Sequence, residues 1–400
     1  MTSSMRKLPN LGGEAWLNDP KLQAVLSVLN AAGQTRVAGG AVRNALMGTA
    51  ISDVDLATTI LPHDVMQLCK QAGFAVHPTG IDHGTVTIVN RGKTFEVTTL
   101  RRDIETDGRH AVVSFTRDFA EDAARRDFTM NALYCNNHGE VFDYTNGYAD
   151  ILKHHVRFVG KPAQRIKEDF LRILRFFRFH AAYGKSTPDA PGLAACKRHK
   201  AGLKTISAER IRQELFKLLV TARATETLKV MAACGVLKVL LPFVENWRVL
   251  KRLPLDPLLR VFAIAKTPMD LKERLRLSND QAARIVGLIN APKPSPKLSA
   301  RERRALLFKI GVQTWQDACA LAHAQSRNAV SDGRWLALVR LADQWPIPVL
   351  PINGKDLLAQ GVAAGPRLGK LLEQAQEFWI AADFKPSRED LLAYLESVMT

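Results

Sequence analysis

Along the first 150 or so residues short apolar runs alternate with polar positions, whereas beyond about residue 160 the apolar residues recur at three- and four-residue spacing. The first texture predicts strands at 35–38, 53–59, 84–90 and 94–100, the last two joined by Arg91-Gly92-Lys93, a hairpin signal. Between them, 41–47 follows Gly39-Gly40 as a helix, and 62–72 opens with the N1 proline of another. From Pro162 onward the pattern is helical, and residues 165–182 read as one continuous helix. Two proline-rich breaks interrupt it, Ala291-Pro-Lys-Pro-Ser-Pro-Lys297 and Trp345-Pro-Ile-Pro-Val-Leu-Pro351, because alternate prolines favour extended backbone. Ser299, after the first break, is placed to cap a helix carrying Arg301, Arg303 and Arg304. The expected architecture is α+β: a head with a small mixed β-sheet over 1–155, then an all-α neck (156–225), body (226–297) and tail (298–400).

Composition narrows the partners. The chain has 400 residues, 56 Lys+Arg against 39 Asp+Glu, and a formal charge of +17, which favours a polyanion. No run approaches about 18 uninterrupted apolar residues, and Arg6-Lys7 is not followed by an apolar stretch, so neither a membrane span nor a signal peptide is expected. Nucleic acid is the expected partner and no membrane is. Cys69, Cys135, Cys196, Cys234 and Cys319 are odd in number and widely spaced, which argues against a disulfide framework and points to a cytoplasmic setting.

The candidate chemistry starts at Gly39-Gly40, followed by Arg43 and then by Asp53-Val-Asp55. Two glycines between a strand and a helix let backbone N–H groups approach phosphates, and Arg43 adds fixed positive charge. Aspartates at i and i+2 on a strand share a face and suit a hard cation such as Mg2+. Each motif alone is more often a plain turn or a solvated strand edge; in this order they suit metal-assisted nucleotidyl transfer. Glu96, on a strand otherwise apolar and β-branched, is the natural third carboxylate, as metal ligand or general base, or else a partner for a cross-strand cation. Either site role requires that it face Asp53 and Asp55.

These residues resemble a known family. Gly39-Gly-Ala-Val-Arg-Asn-Ala-Leu-Met-Gly48 with Asp53-Val-Asp55 is similar to the first motif of class II tRNA nucleotidyltransferases (CCA-adding enzymes) and the related bacterial poly(A) polymerases. Arg125-Arg-Asp-Phe-Thr-Met-Asn-Ala-Leu133 resembles the second, Asp143-Tyr-Thr-Asn-Gly-Tyr-Ala-Asp150 the third, Glu168-Asp-Phe-Leu-Arg-Ile-Leu-Arg175 the fourth and Ser207-Ala-Glu-Arg-Ile-Arg-Gln-Glu214 the fifth. Five motifs in order over residues 37–215 are not chance. The resemblance implies CMP and AMP addition from CTP and ATP to the 3′ end of tRNA, with pyrophosphate released and Mg2+ as cofactor. It implies that Arg126 contacts the nucleotide and that Asp127 and Asn131 organise the site, although Asp127 is equally suited to cap the helix after it. It also implies that residues 101–118, read as a mobile loop containing Arg109-His110, help the switch from C to A. Two departures stand out: Asn44 replaces the Asp usual after the motif arginine, and Asn146-Gly147 stands where two glycines are common. Asn tolerates left-handed backbone, which makes the second departure minor.

The fourth motif suggests how a nucleotide is chosen without a template. On one helix Asp169 and Arg172 are i, i+3 neighbours. An ionised Asp only accepts and an Arg only donates. Side by side they match the amino group and ring nitrogen of cytosine and of adenine, and oppose the carbonyl and N–H of uracil and guanine. That agrees with the role implied by the family; an isolated motif of this kind is otherwise a salt-bridged helix face. Arg175 and Arg178 then serve the triphosphate or solvate the helix. In the tail, Arg301, Arg304 and their neighbours form a phosphate-tracking stripe or a solvated face. Gly365-Pro-Arg-Leu-Gly-Lys370, with Arg367 and Lys370, opens a helix and suits an RNA phosphate or is an ordinary helix start. The rival activities are poly(A) addition from ATP alone and RNA binding without catalysis.

Overall fold

The computed structural model describes residues 8–107, 110–241, 247–327 and 331–399, which divide into two compact units at 241/242. The expected head and neck both fall in the first unit, and the expected start of the body at 226 lies inside it as well.

Among the described residues the first unit has nine strands: β1 (Thr35–Ala38), β2 (Asp55–Thr58), β3 (Ala75–Gly80), β4 (Thr85–Asn90), β5 (Lys93–Thr99), β6 (Arg101–Asp107), β7 (His110–Phe115), β8 (Leu133–Cys135) and β9 (Val141–Asp143). Seven of them form one sheet in the order β3-β4-β5-β2-β1-β8-β9, mixed because β2 and β5 run parallel while the other pairs are antiparallel. Residues 101–118, expected as a loop, instead contribute the β6–β7 antiparallel ribbon, whose backbone ladder needs few large apolar side chains. Of the expected Arg109-His110 pair, Arg109 lies outside the described residues and His110 opens β7.

Helices α1 (Pro20–Asn30), α2 (Gly40–Leu46), α3 (Pro62–Gln71), α4 (Phe119–Arg125) and α5 (Gly147–Leu152) surround the sheet. Asn146, φ 61°, takes the left-handed conformation at the start of α5. Helix α2 ends in a Schellman motif: Gly48 (φ 63°) donates its N–H to Ala45 O at 3.1 Å and Thr49 to Asn44 O at 2.9 Å. A left-handed glycine there releases the chain toward Asp53. Strand β2 begins only at Asp55, so Asp53 lies on the preceding segment and not on the strand as expected.

The helical remainder of this unit comprises α6 (Pro162–Glu168), α7 (Leu171–Tyr183), α8 (Ala190–His199), α9 (Ala208–Leu219), α10 (Ala224–Ala233) and α11 (Val236–Leu240). The expected single helix over 165–182 is thus broken at Asp169, which has extended backbone (φ −155°, ψ 107°) and accepts the Leu171 N–H on its carboxylate at 3.0 Å. An Asp that can cap the next turn competes with helix continuation. Aromatic packing fixes α7 to the head: Phe158 stacks on Phe176 with ring centroids 5.4 Å apart, and Phe128 lies 5.0 Å from Phe179.

The second unit contains α12 (Pro257–Ile264), α13 (Leu271–Leu275), α14 (Asn279–Asn290), α15 (Ala300–Ile310), α16 (Val312–Gln325), α17 (Gly333–Gln344), α18 (Gly354–Ala359), α19 (Pro366–Ala381) and α20 (Arg388–Met399), and among the described residues α15 to α20 contribute to two apolar clusters. One centres on Trp315, Trp335 and Leu338, the other on Leu371, Trp379 and Leu391. Ser299 caps α15 as expected, in a reciprocal box with Glu302.

A buried carboxylate ties α4 to the sheet. Asp122, 1% exposed, accepts from Tyr134 Oη at 2.6 Å and from both Arg125 and Arg126. Burial alone would raise its pKa, but Arg126, Arg125 and the tyrosine hydroxyl outweigh it and hold the carboxyl at about 2. A depressed carboxyl stabilises the fold above its unfolded value, near 4, and loses that contribution as pH falls through about 2. The shift corresponds to about 2 kcal/mol. Asp122→Asn is therefore expected to lower the urea midpoint at pH 7, with the gap to wild type closing between about pH 4 and about pH 2. A gap independent of pH would contradict this assignment.

Candidate active site

The site begins where β1 runs out. Gly39 takes φ 68° and donates its N–H to Leu133 O at 2.9 Å; a Cβ there would come 3.1 Å from Arg126 Nη1. A side chain at this position would be strained by backbone and crowded by the guanidinium. Arg43, one turn into α2, is only 7% exposed. It donates to Asn131 Oδ1, to Asn44 Oδ1 at 2.9 Å and to Tyr183 Oη at 2.8 Å, and lies 4.2 Å from the Tyr183 ring. Burial lowers its pKa, an effect that the surrounding acceptors oppose.

The carboxylates stand beside it. The parallel register pairs Asp55 with Glu96, so their side chains leave the sheet on one face, while Asp53 precedes the strand and is not part of that register. Asp53 is close enough for its charge to be felt at Asp55. The protein atoms around Asp55, then the like charges of Glu96 and Asp53, push the Asp55 carboxyl above its usual range, although its outer edge remains open to water. Carboxylates crowded in this way are the donor set that a hard divalent cation relieves. Among the described residues no cluster of three His, Cys, Asp or Glu side chains forms a ready-made cage.

A cavity of about 470 Å3 opens next to Asp55. Its wall includes Gly39, Gly40, Arg43, Arg126, Asp127, Asn131, Asp169, Arg172 and Arg175, so the expected nucleotide-binding residues converge there, with the exception of Arg178. Arg178 turns to Glu214, 2.5 Å away, and serves to hold α7 against α9. Arg175 donates twice to Asp127 Oδ2, at 2.6 and 2.8 Å, instead of standing free for a triphosphate. Asp127 also accepts from Asn131 Nδ2 at 3.1 Å and from the following backbone N–H at 2.8 Å. Burial opposes ionisation of Asp127, but Arg175 and these N–H groups hold its carboxyl below the usual range.

Asp169 and Arg172 are brought together, though not as neighbours on an unbroken helix. Asp169 Oδ2 pairs with Arg210 at 2.7 Å, and its backbone oxygen accepts the Arg172 N–H at 3.0 Å. Arg172 Nη1 is held by Glu168 at 2.5 Å and by Arg165 O at 2.8 Å. A carboxylate offers about four acceptor positions, and Asp169 uses one on each oxygen here, so acceptor capacity remains on Asp169; Arg172 Nη2 also donates to Arg125 O at 3.4 Å. Sequence reasoning gave no site role to Arg125 or Arg210, which line the same cavity, nor to Glu168 and Tyr183, which fix its arginines. Three of them lie within motifs, Arg125 in the second, Glu168 in the fourth and Arg210 in the fifth; only Tyr183 falls outside.

Among the described residues the cavity wall carries six arginines (43, 125, 126, 172, 175 and 210) against three aspartates (55, 127 and 169), a balance that suits a triphosphate. In the second unit, the expected RNA contacts Arg301 and Arg304 are engaged internally. Arg304 forms a two-pronged pair with Asp383 at 2.6 and 2.9 Å, and Arg301 donates to Ala381 O at 2.9 Å. Arg367 and Lys370, in the first turns of α19, are exposed and have no side-chain partner among the described residues.

Comparison with known proteins agrees with this geometry. Residues 35–157 match the "Poly A polymerase head domain", and residues 191–248 match the "Probable RNA and SrmB- binding site of polymerase A". The chain is 34% identical to the mouse (Mus musculus) CCA tRNA nucleotidyltransferase 1, mitochondrial, over 91% of its own length and 86% of that protein's. It is 30% identical to the CCA-adding enzyme of Latilactobacillus sakei, over 92% and 95%. The crystal structure of Bacillus stearothermophilus CCA-adding enzyme in complex with CTP superposes with a TM-score of 0.79 at 27% identity, covering 95% of this chain and 98% of that one. Nucleotidyltransferases of this family work with a divalent metal. The chain belongs to the family of CCA-adding tRNA nucleotidyltransferases.

Proposed function

We infer that the protein adds CMP and AMP, from CTP and ATP, to the 3′ end of tRNA without a template, releasing pyrophosphate. The observation that carries this reading is a single cavity in which Asp169 and Arg172 stand with Asp55, Gly39 and Gly40. Base-reading and phosphate-handling groups thus share one wall.

In this reading the acceptor 3′-oxygen attacks the α-phosphorus, the bond to the β-phosphate oxygen breaks, and pyrophosphate leaves. Mg2+ held by Asp53 and Asp55 would supply charge stabilisation to the attacking and leaving oxygens. Glu96, on the same face as Asp55, is placed to complete the metal shell or take the hydroxyl proton. Gly39 and Gly40 bring backbone close to the triphosphate, while Arg43, Arg126 and Arg175 supply positive potential from fixed positions. Asp169 accepts the exocyclic amino group of C or A, and Arg172 donates to the adjacent ring nitrogen. Uracil and guanine place donor against donor and acceptor against acceptor, which is a repulsive selection. The head (1–155) and neck (156–225) carry this chemistry, and the body and tail hold the RNA. Exposed Arg367 and Lys370 at the start of α19 are the better-placed phosphate contacts, while Arg301 and Arg304 brace the helices that present them. The five buried free cysteines support a reducing, cytoplasmic setting. Among the described residues no helix is long and apolar enough to cross a membrane.

The test is incorporation into tRNA lacking its 3′ end, with each labelled nucleotide alone and in combination. Addition of C, C and A followed by a stop is expected, and Asp55→Ala should lower the rate by roughly two orders of magnitude or more. A long A ladder without C would indicate a poly(A) polymerase, and retained RNA binding without incorporation an inactive binder. Arg172→Ala and Asp169→Ala should each relax discrimination against U and G by roughly five- to a hundredfold. Unchanged selectivity in both variants would refute the base-reading assignment.

A further inference from the structure

Asn44 stands where the family's first motif commonly has Asp, and its environment uses both ends of an amide. Its Oδ1 accepts from Arg43 Nε at 3.1 Å and Nη2 at 2.9 Å, and its Nδ2 donates to Ala50 O at 2.8 Å. The orientation is not arbitrary: a guanidinium only donates and a carbonyl only accepts, so only one flip of the amide satisfies both. The backbone oxygen of Asn44 takes the Thr49 N–H at 2.9 Å and the Thr49 hydroxyl at 3.3 Å. Among the described residues, the hydrogen bonds that leave 49–53 all end on Asn44; the Ser52 hydroxyl turns inward, to Asp53 at 2.9 Å.

We propose that Asn44 is a positioning residue, whose amide ties the cavity arginine Arg43 to the segment that delivers Asp53 and Asp55 to the metal. The proposal rests on the reading of those two aspartates as metal ligands. The tether locks two parts of the site that must be in register: the guanidinium on the phosphate side and the carboxylates on the reacting side. A carboxylate at 44 would satisfy Arg43, more strongly than the amide does, but would set an anionic oxygen against the Ala50 carbonyl and remove the one side-chain bond to the segment, leaving the two Thr49 bonds to the backbone oxygen. It would also cancel the charge of an arginine that the amide leaves positive.

The test compares Asn44→Asp and Asn44→Ala with wild type, by Mn2+ binding to the nucleotide-free protein and by incorporation kinetics, with Asp55→Ala as the control for the metal site. Both Asn44 variants should bind Mn2+ roughly three- to tenfold more weakly, the size expected for a lost hydrogen bond, and kcat should fall with it while the thermal midpoint changes little. Weakening in Asn44→Asp is the sharper result, because an added negative charge by itself would strengthen cation binding. Wild-type Mn2+ affinity and kcat in Asn44→Asp, with loss only in Asn44→Ala, would show that the amide serves Arg43 alone and overturn the tether. Wild-type values in both variants would overturn any positioning role. Mn2+ binding that survives Asp55→Ala would refute the parent reading of the metal site instead.

Discussion

Everything at this site depends on burying guanidinium groups without leaving any of them uncompensated. A cavity for a triphosphate needs excess positive charge, yet a buried charge with no partner costs several kcal/mol. The chain meets both demands by giving its cavity arginines carboxylate partners, two in the wall (Asp127 for Arg175, Asp169 for Arg210) and two outside its lining (Asp122 for Arg125 and Arg126, Glu168 for Arg172). Arg43 is the exception, since its hydrogen-bond acceptors among the described residues are neutral: Asn44, Asn131 and Tyr183. The result is a lattice of fixed charges that is net positive at the wall while most of its members are paired behind it.

That lattice also explains why the head and the first helices after it form one compact unit. Asp127 follows α4 and is held by Arg175 on α7; Arg43 on α2 is held by Tyr183 at the end of α7. Apolar packing runs in parallel, through Phe128, Phe158, Phe176 and Phe179. The cavity residues on α2, after α4 and on α7 are therefore held to one another by side-chain bonds and by aromatic packing. In the proposed function this ties the groups assigned to the base to those assigned to the phosphates.

Much of this was legible in the chain. The Gly39-Gly40 turn, the partial strand ending in Thr58, the hairpin at Arg91-Gly92 and the Ser299 cap obey local rules that tertiary context did not override. The cavity residues were legible because the motifs preserve residue type and spacing together. Pairing at a distance was not legible. Nothing in the spacing of Arg178 says that it meets Glu214, or that Arg304 meets Asp383, because such partners lie 36 and 79 residues away. The break at Asp169 was missed for a different reason: apolar periodicity continues straight through it, and the helix restarts only through the extended backbone of Asp169 and the Leu171 N–H donated to its carboxylate. The β6–β7 ribbon was hidden because a two-stranded ladder satisfies its backbone without the apolar alternation by which strands are recognised.

If a fixed protein surface selects the nucleotide, selection must be present before any RNA arrives. Equilibrium binding of each of the four ribonucleoside triphosphates to the Mg2+-loaded protein, without tRNA, tests this directly. The account predicts that CTP and ATP bind more tightly than UTP and GTP by at least roughly fivefold, the lower end of what one well-formed pair of hydrogen bonds provides. Equal affinity for all four would contradict it and place the discrimination in the RNA.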